Sequence, residues 1–270
     1  MKKMQLLDCT LRDGAYIVDA KFGVPAIKGM IKKLQDAGVD IIECGWLKNA
    51  PHEEGTSFYH VPEDLLKRRT HTTYVAMIDW DRYDLSYLPQ CDGKSLDAIR
   101  VVFPHGKHKE GITVGKEIAK KGYQVYFQAA NTLAYSEEDL IDLAREMNQV
   151  HPVAVSVVDT FGAMYQEDLE RIVQVLDCEL DAGIKLGFHS HNNQQLSFAL
   201  TMHFVELLKA SKRGCIVDSS LCGMGRGAGN ATTELVANYL NRKQHGDYDM
   251  NQIMDAIDMY MQYFQENYTW

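Results

Sequence analysis

Short β-branched runs alternate with longer amphipathic segments along almost the whole chain, and this alternation limits the fold more than any other feature. Runs suited to strands stand at 4–8 (MQLLD), 40–44 (DIIEC), 73–78 (TYVAMI), 98–103 (AIRVVF), 123–128 (YQVYFQ), 153–158 (VAVSVV), 184–189 (IKLGFH) and 215–219 (CIVDS). Helical patterns lie between them at about 24–37, 61–68, 109–121, 136–149, 166–182 and 194–211. Ser136-Glu137-Glu138-Asp139 is a good helix start, since acidic residues in a first turn suit the helix dipole. Eight such strands predict an α/β chain closed into a (β/α)8 TIM barrel. The connection over 79–97, with Trp80, Tyr83, Tyr87 and Pro89, is poorest in helical signal and is expected to be largely loop. The rival is a doubly wound open sheet. That fold normally opens with a glycine-rich phosphate turn after the first strand, where this chain has Cys9-Thr10-Leu11-Arg12-Asp13-Gly14. Two further helical patterns follow at 231–242 and 250–267, so the expected organisation is a barrel over 1–242 and a C-terminal helical extension over 243–270. The apolar stripe Ile253, Met254, Ile257, Tyr260, Met261 and Phe264 suits packing on the barrel or a subunit interface, and a homodimer is expected.

Composition narrows the partners. A formal net charge of −9 disfavours nucleic acid and acidic membrane surfaces, neither of which would be attracted. The N-terminus does not read as a signal peptide, and no uncharged apolar run approaches the ~18 residues of a membrane span. Six cysteines without CxxC spacing predict neither a disulfide framework nor a zinc knuckle, so a cytoplasmic setting is expected.

Barrels of this kind build their active sites where the strands end. The polar residues at those ends are Arg12 and Asp13, Glu43, His105, Gln128 and Asn131, Asp159 and Thr160, then His189 and His191. A glycine-rich segment, Gly223-Met224-Gly225-Arg226-Gly227-Ala228-Gly229-Asn230, follows the last strand. Residues two apart on a strand share a face, so His189 and His191 project together. Asp13 is the best third ligand. Two imidazoles and a carboxylate, without thiolate, favour Mn2+ or Mg2+ and leave coordination positions for chemistry. Asn230 either adds a carbonyl oxygen or serves as a turn residue before the next helix, and Asn193 is read as orienting a ligand. Arg12 is either a surface ion pair or a cation for a developing oxyanion. Glu43, costly on a barrel strand unless paired, is read as holding Arg12. Lys48 and Arg226 are read either as holding a second anionic group or as solvated.

In their order along residues 8–240, Asp8-Cys9-Thr10-Leu11-Arg12-Asp13-Gly14, Ile42-Glu43, Asp159-Thr160-Phe161-Gly162-Ala163-Met164, Phe188-His189-Ser190-His191-Asn192 and Gly223-Met224-Gly225 with Ala228-Gly229-Asn230 resemble one metal-dependent barrel superfamily. It contains 3-hydroxy-3-methylglutaryl-CoA lyase, isopropylmalate and homocitrate synthases, and 4-hydroxy-2-oxovalerate aldolase. The Gly227-Ala228-Gly229-Asn230 ending is nearest the aldolase branch. The resemblance implies a divalent metal on Asp13, His189 and His191, with Asn230 as a further ligand. It implies Arg12 beside the enolate oxygen of a 2-oxo acid, Thr160 near that acid's carboxylate, and Glu43 as an active-site carboxylate. Asp159 and Gln128 join the expected substrate-binding residues.

The expected activity is therefore a metal-dependent carbon–carbon lyase. It cleaves or forms a 4-hydroxy-2-oxo acid through a metal-bound pyruvate-type enolate, with a 2-oxo acid and an aldehyde as small-molecule partners. Where the aldolases carry a catalytic histidine, this chain has Tyr16, a poor base at an unperturbed pKa of about 10. His105 and a bound water are the other candidates for moving the proton. Only about thirty residues follow position 240, so the aldolase's partner-docking domain is expected to be absent. The alternatives are a Claisen-type acyl-CoA synthase and a metal-binding barrel without turnover.

Overall fold

The computed structural model describes residues 4–61, 71–211 and 213–270. Its strands are β1 (Met4–Asp8), β2 (Ile41–Leu47), β3 (Phe58–Tyr59), β4 (Thr73–Asp79), β5 (Ala98–Phe103), β6 (Gln124–Ala129), β7 (Ala154–Asp159), β8 (Lys185–Ser190) and β9 (Cys215–Ser219). Eight of them pair in parallel in the order β1, β2, β4, β5, β6, β7, β8, β9, and β9 returns to β1. The fold is the expected (β/α)8 barrel. The ninth strand, β3, is two residues beside the end of β2, too short to carry a periodic signal.

The helices are α1 (Thr10–Asp13), α2 (Ala15–Val18), α3 (Val24–Asp36), α4 (His108–Lys120), α5 (Glu137–Val150), α6 (Gln166–Glu179), α7 (Ser197–Leu207), α8 (Thr233–Lys243), α9 (Met250–Ala256) and α10 (Gln262–Asn267). No helix interrupts the connection between β4 and β5. The helix expected over 61–68 falls, apart from its first residue, outside the described residues. At α5, Ser136 accepts from the Asp139 N–H at 3.2 Å while Asp139 accepts from the Ser136 N–H at 2.9 Å, a reciprocal cap. Helix α7 begins at Ser197 rather than near 194, because the Asn192 side chain accepts the Ser197 N–H and holds the preceding residues as a turn. Helix α9 lies against α3, where Lys33 Nζ meets Asp255 at 2.7 Å, and one π turn over Ile257–Met261 joins it to α10, whose Phe264 meets Phe22, just before α3, edge-on. Among the described residues no helix is long and apolar enough to cross a membrane.

Alternation along the strands decides what the barrel encloses. Leu7, Ile41, Val75, Ala98, Tyr126, Ala154 and Ile216 form one apolar cluster, to which Cys9 also belongs. Two residues further along β2, β4, β5, β6, β7 and β9, the same inward face carries Glu43, Met77, Arg100, Gln128, Ser156 and Asp218. The barrel thus has an apolar floor and a charged middle layer below its C-terminal mouth. Strand β2 departs from strict alternation: its register against β4 shifts between Glu43 and Trp46. Gly45 takes φ +142° there, and a Cβ on it would overlap the Ser57 carbonyl oxygen. This bulge turns Trp46 toward the mouth.

Asp8 closes β1, accepting from the Thr10 N–H at 3.0 Å and the Thr233 hydroxyl at 2.6 Å, and so joins the starts of α1 and α8. Burial outweighs those hydrogen bonds and pushes its carboxyl up to about 6. The folded state therefore favours the protonated acid. The resulting stability is present below the unfolded value near 4 and is lost as pH rises through about 6. Asp8→Asn, which keeps one acceptor for Thr10 and offers an N–H toward Thr233, is expected to gain stability over wild type between pH 4.5 and 7.5. The gain is at most about 3 kcal/mol in urea unfolding with chelator present. A wild-type-minus-variant difference that stays flat across that interval would contradict this assignment.

Candidate active site

The mouth of the barrel holds a cavity of about 180 Å3. On one side lie Arg12 and Asp13. They are set by α1, a single helical turn in which the Asp13 N–H bonds the Cys9 carbonyl at 2.8 Å. Opposite them, His189 at the end of β8 and His191 just beyond it share a face, with ring centroids 5.2 Å apart. One donor atom from each of Asp13, His189 and His191 lies within 4.8 Å of the others, and all three residues are buried.

Several features of this cluster suit a divalent cation. The Nδ1 of His189 faces Asp218 Oδ2 at 3.1 Å, and that of His191 faces the Arg226 carbonyl at 3.0 Å. These acceptors favour the Nδ1–H tautomer and leave both Nε2 lone pairs as ligands. His191 Nε2 already looks toward Asp13 Oδ2 at 3.8 Å. Burial holds the His191 imidazole down to about 4, so it is neutral at physiological pH. Burial pushes the Asp13 carboxyl up, but Arg12, with help from the two histidines, outweighs it and brings it to about 2. Asn230 donates Nδ2 to Asp13 Oδ2 at 2.6 Å while its own Oδ1 is buried without a partner. Half a turn of that amide would present the oxygen at the same place. Gly225 closes in behind them, and a Cβ there would overlap the Asn230 amide and crowd Asp13.

Beneath the cluster runs a buried charge network. Arg12 donates Nε to Glu43 and Nη1 to Asp13, each at 2.7 Å. Glu43 also faces Arg100 Nη1 at 2.9 Å, and Arg100 donates Nη2 to Asp218, the partner of His189. Two guanidiniums and three carboxylates leave one net negative charge, which a divalent cation and an anionic substrate would together offset. Arg100 and Asp218 escaped the sequence reading, although each is a charged residue inside an apolar strand, the same cue that marked Glu43. Asp218→Asn, which weakens the hold on the His189 ring, is expected to lower Mn2+ affinity about 10–100-fold by calorimetry. Affinity equal to wild type would remove Asp218 from that role.

The other expected site residues divide. Tyr16, Gln128 and Thr160 line the cavity. Tyr16 is half-exposed, edge-on to Trp46, with the Arg226 guanidinium 5.5 Å from its ring centre. Desolvation raises its phenol above the ordinary value, so it stays protonated at neutral pH. Thr160 Oγ1 accepts the Asn131 N–H at 2.7 Å, which leaves its own proton to give. Gln128 donates to Ser156 at 2.8 Å. Glu43 lies behind Arg12 rather than in the cavity wall. Asp159 accepts from the Ala163 and Met164 N–H groups and thereby pins the loop after β7. Asn193 accepts the Ala228 N–H at 3.0 Å and so holds the glycine loop, whose Arg226 carbonyl faces His191 Nδ1. His105 is not brought to the site: Pro104 and Gly106 carry it outward, where its ring meets Asp139 at 3.1 Å. Trp46 and Asp79 are in the wall and were not anticipated.

Comparison with known proteins follows the same lines. Oxaloacetate decarboxylase of Mycobacterium tuberculosis is 27% identical over 263 residues, 93% of this chain and 74% of its own. The 4-hydroxy-2-oxovalerate aldolase of Roseiflexus sp. is 28% identical over 278 residues, 96% of this chain and 76% of its own. In structure, the N-terminal domain of a Bacteroides vulgatus protein provisionally named an aldolase superposes with a TM-score of 0.78. That match is 22% identical and covers 97% of this chain and 88% of the other. The Bacillus subtilis HMG-CoA lyase gives a TM-score of 0.71 at 14% identity, with 95% and 91% covered. The HMGL-like family model matches residues 107–259, more than half of the sequence, and the chain belongs to the HMGL-like family.

Proposed function

We propose that the protein is a divalent-metal-dependent carbon–carbon lyase that cleaves or forms 4-hydroxy-2-oxo acids, with pyruvate or a close relative as the 2-oxo partner. The observation that carries this reading is the Asp13–His189–His191 cluster with Arg12 locked at its edge. A cation held there would supply Lewis acidity to the substrate's 2-oxo and carboxylate oxygens. With Nε and Nη1 fixed by Glu43 and Asp13, Arg12 has Nη2 left to share the charge that develops on the 2-oxo oxygen. Thr160 has a hydroxyl proton free for the substrate carboxylate. Met77, Val102, Ala130 and Val158 give the cavity an apolar wall suited to a short alkyl aldehyde. Its size, below the ~300 Å3 at which drug-sized ligands begin to fit, also favours a small substrate.

Tyr16 supports a second reading, decarboxylation of oxaloacetate. A phenol kept protonated can deliver a proton to the enolate carbon, and loss of CO2 requires no base on a hydroxyl group. The M. tuberculosis relative bears that name. Both readings pass through the same three-carbon enolate, so one assay tests their shared part: exchange of pyruvate methyl protons with deuterium. Exchange is expected with Mn2+ or Mg2+, lost on chelation and absent in His189→Ala. Full exchange in chelated protein would overturn both readings. Product analysis with a 4-hydroxy-2-oxo acid, oxaloacetate, or acetyl-CoA plus a 2-oxo acid then separates lyase, decarboxylase and Claisen chemistry.

A further inference from the structure

Aldol cleavage needs a group that takes the proton of the 4-hydroxyl as the C3–C4 bond breaks. Tyr16 is a phenol that desolvation keeps protonated, His105 lies outside the cavity, and Asp13 is paired with Arg12. His189 and His191 are the expected ligands. One further carboxylate remains in the wall. Asp79 is the last residue of β4 and faces the same cavity as Arg12, Tyr16 and His191. Among the described residues its carboxylate accepts no hydrogen bond, and its ion-pair neighbour, Arg82 Nη1, stands 3.9 Å away on a largely exposed side chain. The charged and titratable groups around it are Arg82 and Asp81 on its own loop, Lys48 after β2, and Tyr16 from α2.

We propose that Asp79 is the general base of aldol cleavage and, in the reverse direction, the acid that protonates the new hydroxyl. Its carboxylate takes the 4-hydroxyl proton, the O–H electron pair forms the aldehyde carbonyl, and the C3–C4 pair becomes the enolate. The same proton is then delivered to C3 to give pyruvate, so the cycle closes without a further reactant. This rests on the lyase reading above. Burial raises the Asp79 carboxyl above the ordinary aspartate range, with Arg82 and Lys48 opposing and Asp81 adding to the shift. Asp13 is tied to Arg12 at 2.7 Å, whereas Asp79 stands in the cavity wall with no hydrogen bond to its carboxylate among the described residues.

The test compares wild type, Asp79→Asn and Asp79→Glu, all loaded with Mn2+, in cleavage of 4-hydroxy-2-oxopentanoate. Oxalate binding by calorimetry serves as the measure of site integrity. Asp79→Asn is expected to lower kcat at least about 100-fold with KM and oxalate affinity within a few-fold, and to remove the acidic limb of the kcat–pH profile. Asp79→Glu should restore part of kcat and the limb. An Asn variant with wild-type kcat and an unchanged limb would overturn the role of Asp79 while leaving the lyase reading intact. Loss of oxalate binding in step with kcat would show a structural role and overturn it equally. A wild type that exchanges pyruvate protons yet cleaves no 4-hydroxy-2-oxo acid would instead remove the lyase reading, and the base with it.

Discussion

Arg12→Lys is expected to lower kcat about 100- to 1,000-fold while Mn2+ binding survives. The guanidinium holds Glu43 with Nε and Asp13 with Nη1, both at 2.7 Å, and in the proposed reading Nη2 is the donor left for substrate. A lysine ammonium keeps the charge but cannot span those two anchors and still present a fixed donor at the cavity. Removing one preorganised donor from a developing oxyanion typically costs two to three orders of magnitude, roughly 2.7–4 kcal/mol. Metal affinity should hold or rise, because the carboxylate of Asp13 is then less committed to its neighbour. The measurement is steady-state kinetics beside Mn2+ titration of the same preparations. A lysine variant with kcat within threefold of wild type would show that Arg12 is a structural ion pair.

The second large effect concerns stability. Arg100 is 1% exposed and stands between Glu43 and Asp218, which are themselves almost fully buried. Arg100→Met leaves both carboxylates without that cation, and breaking a buried ion pair from one side typically costs about 3–5 kcal/mol. Urea unfolding at pH 7.5 should register a loss of that size. Replacing the three charges together, as Glu43→Gln, Arg100→Met and Asp218→Asn, should recover most of it, since no desolvated charge is then left alone. The triple variant should still bind Mn2+ poorly, because His189 has lost its carboxylate. An Arg100→Met protein as stable as wild type would mean that water reaches the middle layer of the barrel.

The barrel strands were legible because buried parallel strands are short runs rich in β-branched and apolar residues with polar groups where they end. Arg12, Asp13, His189 and His191 were legible for the same reason. Arg100 and Asp218 carried a readable cue, charge inside an apolar strand, that was applied to Glu43 alone. Trp46 was hidden because only the bulge at Gly45 turns it inward, and a register shift leaves no mark in composition. His105 misled because a polar residue after a strand looks the same whether the chain continues inward or turns away. Here it turns away, to the cap of α5. Asp79 sat at the edge of a connection read only as loop, so its place in the cavity wall required the fold.

The central claim is that Asp13, His189 and His191 hold a divalent cation at which a small 2-oxo acid binds. Its most direct test is diffraction at the manganese edge from crystals grown with Mn2+ and oxalate. The predicted result is one anomalous peak bounded by the Asp13 carboxylate and both Nε2 atoms, with oxalate on its open side toward Arg12. Manganese located elsewhere, or no peak between those three residues at saturating Mn2+, would contradict the account.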